Sequence, residues 1–146
     1  MPVNGKSVLL SGLIAGMIII ASAAAMVPVG GNEMDQVLAD RGLPPLGGPA
    51  MAFFGVFSLA MGIVLAWLYA VLRAHFGAGN KTAAIASFIA WFLAYFLSNA
   101  AKAAYGFMPI RLVMIGTAWG LAELLAAGFV GARLYEKRSG SIAISR

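Results

Sequence analysis

The chain has 146 residues, of which 62% are apolar and only 10% are charged, and its net charge is +5. Soluble domains are about 45–50% apolar and about 25% charged, and a chain this short has too little interior to bury the excess. The composition therefore excludes an ordinary soluble domain and predicts that lipid covers much of the surface. The absence of cysteine excludes disulfides, thiolate metal sites, iron–sulfur clusters and cysteine nucleophiles.

Four apolar runs divide the chain, and each is long enough to cross about 30 Å of hydrocarbon as an α-helix. The predicted helices span residues 7–27, 50–72, 82–104 and 110–133. Helices and closed barrels are the structures that satisfy every backbone group in lipid, and continuous apolar runs favour helices. We therefore predict an all-α fold: one transmembrane domain over residues 1–146, built as a four-helix bundle with up-down-up-down topology.

The first apolar run has a second interpretation. Lys6 precedes it, and the small residues Ala21, Ser22 and Ala23 follow its most apolar part, which is the pattern of a cleavable signal peptide. We interpret the run as a retained membrane helix.

The connection after the first run predicts a short helix outside the membrane. Pro28 and the glycine pair that follows it are helix breakers and should end the first membrane helix. Asn32 can then cap a short extracytoplasmic helix over residues 33–41, and Gly42 can follow its end. The first loop should therefore carry a helix of its own.

The distribution of Lys and Arg predicts the orientation of the bundle. If the N-terminus lies inside, seven of the ten basic residues are cytoplasmic and three are not. The cytoplasmic set is Lys6, Arg73, Lys81, Arg133, Lys137, Arg138 and Arg146, and the opposite set is Arg41, Lys102 and Arg111. We therefore predict a multi-pass protein of the inner (cell) membrane with both termini in the cytoplasm.

Glu123 is the main candidate for a functional residue, because it lies about 20 Å into the fourth predicted helix. A carboxyl group at that depth should face protein or a water-filled cavity and should have a partner. Gly116 and Gly120 precede it at helical spacing, so another backbone can approach closely. Two interpretations remain open: a proton relay, ion relay or cationic ligand site, and a neutral carboxyl that is hydrogen-bonded between helices.

The third predicted helix offers a partner for Glu123. Its residues on one face, by helical spacing, are Phe88, Phe92, Tyr95, Asn99 and Lys102. Side chains lean toward the N-terminus of their own helix, and the third and fourth helices should run in opposite directions, so we predict a contact between Tyr95 and Glu123. Asn99 and then Lys102 would continue a polar line toward the outer surface, although Lys102 can also simply extend to the interface.

Other signals are less specific. Gly12 and Gly16 match a close-packing motif, as do Gly116 and Gly120, and we expect helix packing within one molecule from both pairs. His75 is the only histidine, and transition-metal sites need several ligands, so we expect no metal and no other cofactor. The basic residues form no basic helix face, so nucleic acid is not an expected partner.

Six strings distributed along the chain carry a resemblance. They are Leu-Pro-Pro-Leu-Gly-Gly at 43–48, Trp-Leu-Tyr-Ala at 67–70, Lys-Thr-Ala at 81–83, Trp-Phe-Leu-Ala-Tyr at 91–95, Ile-Gly-x-x-Trp-Gly-Leu-x-Glu at 115–123 and Gly-Ala-x-Leu-Tyr at 131–135. Together they resemble a family of small uncharacterised bacterial four-helix membrane proteins. The resemblance implies the fold, and it implies no activity.

Three classes of function follow from these observations. An accessory or oligomer-forming membrane protein, with lipid and further membrane subunits or copies of itself as partners, accounts for the small-residue stripes and the lack of motifs. A small transporter or proton-linked carrier would use Glu123. A membrane enzyme needs two or more positioned groups, and the interior offers few, so we expect no enzymatic activity. We favour the first class.

Overall fold

The computed structural model describes residues 3–144, with side chains over residues 3–140. Four helices make up most of this range, and no strand occurs within it. They are α1 (Gly5–Ala39), α2 (Gly48–Phe76), α3 (Asn80–Ala104) and α4 (Ile110–Ile144). Each contains an apolar stretch long enough to span a membrane, so the predicted all-helical fold with four helices able to cross a membrane is confirmed.

α1 is one continuous helix where the sequence predicts two. It continues through Pro28, so the separate loop helix predicted over residues 33–41 is wrong, and these residues mostly extend α1. The predicted end is present, because Gly42 has a φ of 67° and the Leu43 N–H donates to the Leu38 carbonyl. At 1.5 Å per residue the 35 residues of α1 span about 52 Å.

Contacts with α4 explain why α1 does not break. A proline inside a helix removes one backbone hydrogen bond and crowds the preceding turn. Beyond Pro28, Gly30 is buried beside Leu112, and Glu33 forms an ion pair with Arg111. These contacts keep the second part of α1 along α4.

The helices are arranged in the order α2, α1, α4, α3, and each packs against the next. α2 also contacts α4 and the first part of α3, which closes the bundle at one end. Among the described residues, no Cα of α1 lies within 8 Å of a Cα of α3. The residue contacts show that α1 runs antiparallel to α2 and to α4. They also show that α3 runs antiparallel to α4. The direction of each helix relative to a membrane stays a prediction.

The buried core occupies mainly the half of the bundle that contains the start of α1. Its side chains are Val8, Ala15, Ile19, Leu65, Ala66, Tyr69, Ala70, Ala83, Ala86, Ala90, Leu124, Ala127, Ala132 and Tyr135. In the other half, no residue of α2 before Ser58 is buried. No Cα of α2 lies within 8 Å of residues 92–104 of α3, so these two segments stand apart. We call this part of the molecule the open half.

α1 and α2 cross at glycines. A Cβ at Gly12 would lie 2.5 Å from the Cα of Ile63, and a Cβ at Gly16 would lie 2.7 Å from the Cα of Leu59. Gly62 in turn packs directly on the backbone of Gly12 and Gly16. The two glycines predicted to pack helices thus lie at a contact within one molecule, where hydrogen replaces a side chain so that the backbones can meet.

Gly62→Ala should therefore lower the free energy of unfolding by about 1–3 kcal/mol, since the added methyl group overpacks the crossing. The matched control is Gly55→Ala on the same helix, where a Cβ meets no atom within 4 Å. Alanine is favoured over glycine in a helix by roughly 0.5–1 kcal/mol, so this control should be neutral or stabilising. Unfolding in mixed micelles, followed by circular dichroism, measures both. Equal stability of the two variants would contradict the close crossing.

Candidate functional site

The Glu123 carboxyl group joins three helices. Glu123 is 6% exposed, and its Oε1 accepts a hydrogen bond from the Tyr95 hydroxyl of α3 at 2.5 Å. The predicted contact between these two residues is therefore present. Ser22 of α1 lies beside the same carboxyl group, and the Trp119 Nε1 donates to the Ser22 Oγ at 2.9 Å. One side chain of α4 thus has polar partners on both neighbouring helices.

This geometry limits what the carboxyl group can do. A carboxyl group in hydrocarbon is costly unless it has a partner, and here partners lie on α3 and on α1. Such an arrangement holds helices together through hydrogen bonds between them. A proton relay would also need water to reach Glu123, which is 6% exposed.

Tyr95 lies within a change of helical winding. Residues Phe92–Phe96 of α3 form a π-helical segment, in which hydrogen bonds run from i to i+5. The Tyr95 ring packs against Gly120 of α4, where an added Cβ would lie 2.7 Å from Cε1 and 2.8 Å from Cγ. Gly120 therefore provides the space that the ring occupies. Gly116, the other predicted packing residue of this pair, has the looser environment, because the nearest atom to its Cβ position is Asn99 Nδ2 at 3.8 Å.

The π segment also corrects one sequence prediction. Phe88 and Phe92 were expected on the face of Tyr95, but they are 52% and 39% exposed and stack on each other with ring centroids 6.5 Å apart. The residue that turns with Tyr95 toward α4 is Trp91, whose Nε1 donates to the Thr117 carbonyl at 2.8 Å. A π turn holds more residues than an α turn, so the regular helical spacing no longer identifies the shared face.

A second hydrogen-bonded group lies nearer the end of α3. The Asn99 Nδ2 donates to the Thr117 Oγ1 at 3.0 Å, and the Lys102 Nζ donates to the Asn99 Oδ1 at 3.2 Å. The predicted line from Asn99 to Lys102 is therefore present, and Lys102 lies at the exposed surface. Within residues 3–140, however, no hydrogen bond links this group to Glu123, so the polar line is interrupted.

A third network, at the end of the bundle that contains the chain start, was not predicted. The Glu136 Oε1 accepts a hydrogen bond from the Tyr69 hydroxyl at 2.8 Å and pairs with the Arg73 Nε at 2.9 Å. The Arg73 guanidinium lies over the Tyr135 ring, 5.6 Å from its centroid, and the Asn4 N–H donates to the Tyr135 hydroxyl at 3.4 Å. The sequence contains one signal for this network, because Glu136 is an acidic residue among the basic residues of this end.

Potential metal ligands are dispersed in the part of the chain that the structure describes. No three His, Asp or Glu side chains come together there. His75 is exposed at the end of α2.

Comparison with known proteins gives no match, whether with protein families, with curated proteins or with solved structures. The resemblance to small bacterial four-helix membrane proteins stays a prediction. Arguments about function therefore rest on the geometry of the bundle.

Tyr95→Phe should destabilise the protein by about 1 kcal/mol, because it leaves one oxygen of a buried carboxyl group without its donor. Hydrogen bonds between membrane helices contribute about 0.6 kcal/mol on average and up to about 1.7 kcal/mol. Tyr105→Phe is the control, since Tyr105 is 74% exposed. A double-mutant cycle with Glu123→Leu, measured by unfolding in mixed micelles, isolates the coupling energy. A coupling energy of zero would show that the bond does not form in solution.

Proposed function

We propose that this chain is an accessory membrane protein that acts by packing against another membrane helix and carries out no reaction of its own. The other helix belongs to a further copy of the chain or to a partner subunit. The open half of the bundle, in which α2 stands apart from residues 92–104 of α3 and has no buried residue before Ser58, is the observation that carries the proposal.

Residues 51–57 of α2 make nearly two turns, so their side chains point in every direction around the helix axis. None of them is buried, and the exposed fractions reach 64% for Phe53, 69% for Val56 and 52% for Phe57. No side of this segment is therefore buried by the rest of the bundle.

Packing physics favours a helical partner at this place. The hydrophobic effect does not hold helices together in lipid, so association depends on van der Waals packing and hydrogen bonds. Where α2 meets α1 at Gly62, the backbones interlock, whereas the segment before Ser58 forgoes such contacts. A second helix against this segment would supply the missing packing. In that contact, the large apolar side chains of the α2 segment would bury the most surface area.

The polar interior agrees with a structural role. Glu123 has its partners on α3 and α1, and the hydrogen-bonded group that ends at Lys102 is not connected to it in the described range. These bonds hold α1, α3 and α4 together while α2 diverges from α3. The bundle would thus provide a fixed platform on which α2 presents its free surface.

Cysteine cross-linking tests the contact without background, because the natural sequence has no cysteine. Val56→Cys in α2, labelled with a thiol-reactive benzophenone that inserts into neighbouring C–H bonds on illumination, should give cross-linked species in membranes. Met114→Cys is the matched control, since Met114 is 66% exposed on α4 and also lies in the open half. A species of twice the chain mass would identify a second copy, and another defined mass would identify a partner subunit.

The proposal fails if Val56→Cys gives no cross-link in membranes. It also fails if both cysteine variants cross-link to the same extent, because random collision would then explain the products. Measuring the cross-linking yield at several protein-to-lipid ratios distinguishes random collision from a stable contact. The yield from random collision declines on dilution with lipid, whereas the yield from a stable contact persists.

A proton-linked carrier is the second candidate, and the position of Tyr95 favours it. This residue lies in a π segment and contacts an intramembrane carboxyl group, and both features recur at functional sites. In this role Glu123 would gain and release a proton during transport.

Glu123→Gln separates the two functions, since it keeps the size and the acceptor oxygen and removes the titrating proton. For an accessory protein we expect cross-linking at Val56 to be unchanged, and proton uptake by reconstituted vesicles to equal that of the wild type. Vesicles that contain a pH-sensitive dye provide the measurement, with protein-free vesicles as the baseline. Faster proton uptake by the wild type than by the variant would establish the carrier and overturn the accessory role.

A further inference from the structure

The two ends of the bundle differ in charge. One end is formed by the start of α1, the end of α2, the start of α3 and the last third of α4, and we call it the basic end. Its charged residues in the described range are Lys6, Arg73, Lys81, Arg133, Lys137, Arg138 and the single acid Glu136. The opposite end balances three cations, Arg41, Lys102 and Arg111, against three acids, Glu33, Asp35 and Asp40.

The single carboxylate of the basic end is already engaged. Glu136 binds Arg73 and accepts the Tyr69 hydroxyl on the same oxygen. In the part of the chain with described side chains, no carboxylate forms an ion pair with the other five cations, and all five are exposed. The opposite end differs, since Arg111 pairs with Glu33 and Arg41 binds the Phe107 carbonyl.

The cations of the basic end lie where a membrane surface should be. Arg73 lies in the last turn of α2, and Lys81 is the second residue of α3. On the same part of α2, Trp67 is 51% exposed and Phe76 is 60% exposed. Tryptophan is enriched at the boundary between hydrocarbon and headgroups, which places this level of the bundle beside phosphates.

We propose that the basic end binds the anionic headgroups of phospholipids in the leaflet that it faces. On α4, Arg133 and Lys137 are four residues apart, so they share an exposed face of the helix. An arginine guanidinium can hold a phosphate through two parallel hydrogen bonds, and a lysine contributes a point charge. The leaflet supplies the counter-charge that the protein lacks at this end. The proposal does not depend on the contact proposed for α2.

Lipid selectivity measured in nanodiscs tests this binding. Spin-labelled phosphatidylglycerol and phosphatidylcholine are compared for their association with the protein, and the ratio of the two association constants is the readout. A single surface cation contributes about fivefold to the attraction of anionic lipid, so a preference of about fivefold or more is expected at low salt. Both leaflets of a nanodisc have the same composition, so the orientation of the protein does not affect the result.

Two comparisons make the test specific. The variant Lys81→Gln/Arg133→Gln/Lys137→Gln should lose most of the preference, whereas Arg41→Gln/Lys102→Gln/Arg111→Gln at the opposite end, which removes the same number of charges, should retain it. Salt provides a test that needs no variant, because a Debye length of about 3 Å at 1 M should abolish the preference of the wild type. Circular dichroism in the same nanodiscs confirms that each variant is folded.

Four outcomes would overturn the proposal. The first is a wild type without preference for the anionic lipid, and the second is a preference that persists at 1 M salt. The third is an equal loss of preference in the two variants, which would mean that total charge, and not the basic end, attracts the lipid. Suppression of the preference by 10 mM inorganic phosphate at constant ionic strength would also count against it, since the site would then take free phosphate.

Discussion

The bundle depends on the close approach of backbones at the crossing of α1 and α2. Lipid does not drive membrane helices together as water does, so the helices must associate through short-range packing. Gly12, Gly16 and Gly62 remove the side chains that would keep the two backbones apart. From this crossing toward the chain start, the helices enclose a core, and in the other direction α2 stands apart from residues 92–104 of α3. The closed and open halves of the molecule both follow from where these glycines lie.

Glu123 complements this packing in a different way. Apolar packing does not fix a helix strongly against rotation about its axis, whereas a buried carboxyl group requires its partners at defined positions. The bond to Tyr95 therefore sets the rotation of α3 against α4, and the π segment is the winding that brings the hydroxyl to the carboxyl. Gly120 takes part by leaving room for the ring. A substitution at Tyr95, Gly120 or Glu123 should therefore disturb the packing of the other two residues.

The sequence predicted the features that depend on length and on regular spacing. Apolar runs identified four membrane helices, and the lean of side chains in antiparallel helices identified the bond between Tyr95 and Glu123. The break at Pro28 was wrong, because contacts made with α4, more than 70 residues later in the chain, outweigh the local preference of a proline. The prediction that Phe88 and Phe92 lie on the face of Tyr95 was wrong, because a π turn changes the period. The pair of Arg73 with Glu136 was missed because helical spacing does not reveal it, although Glu136 stands out as an acid among basic residues.

The continuity of α1 has a mechanical consequence. A helix of about 52 Å exceeds a hydrocarbon layer of about 30 Å, so part of it stands in the water beyond the bilayer unless the helix is strongly tilted. Membrane helices tilt when bilayer thickness changes. Because α1 continues through Pro28, a tilt of the whole helix would displace the residues near Gly42 sideways, and the ion pair between Glu33 and Arg111 would draw the start of α4 along. The position of the first loop would therefore change with the thickness of the surrounding lipid bilayer.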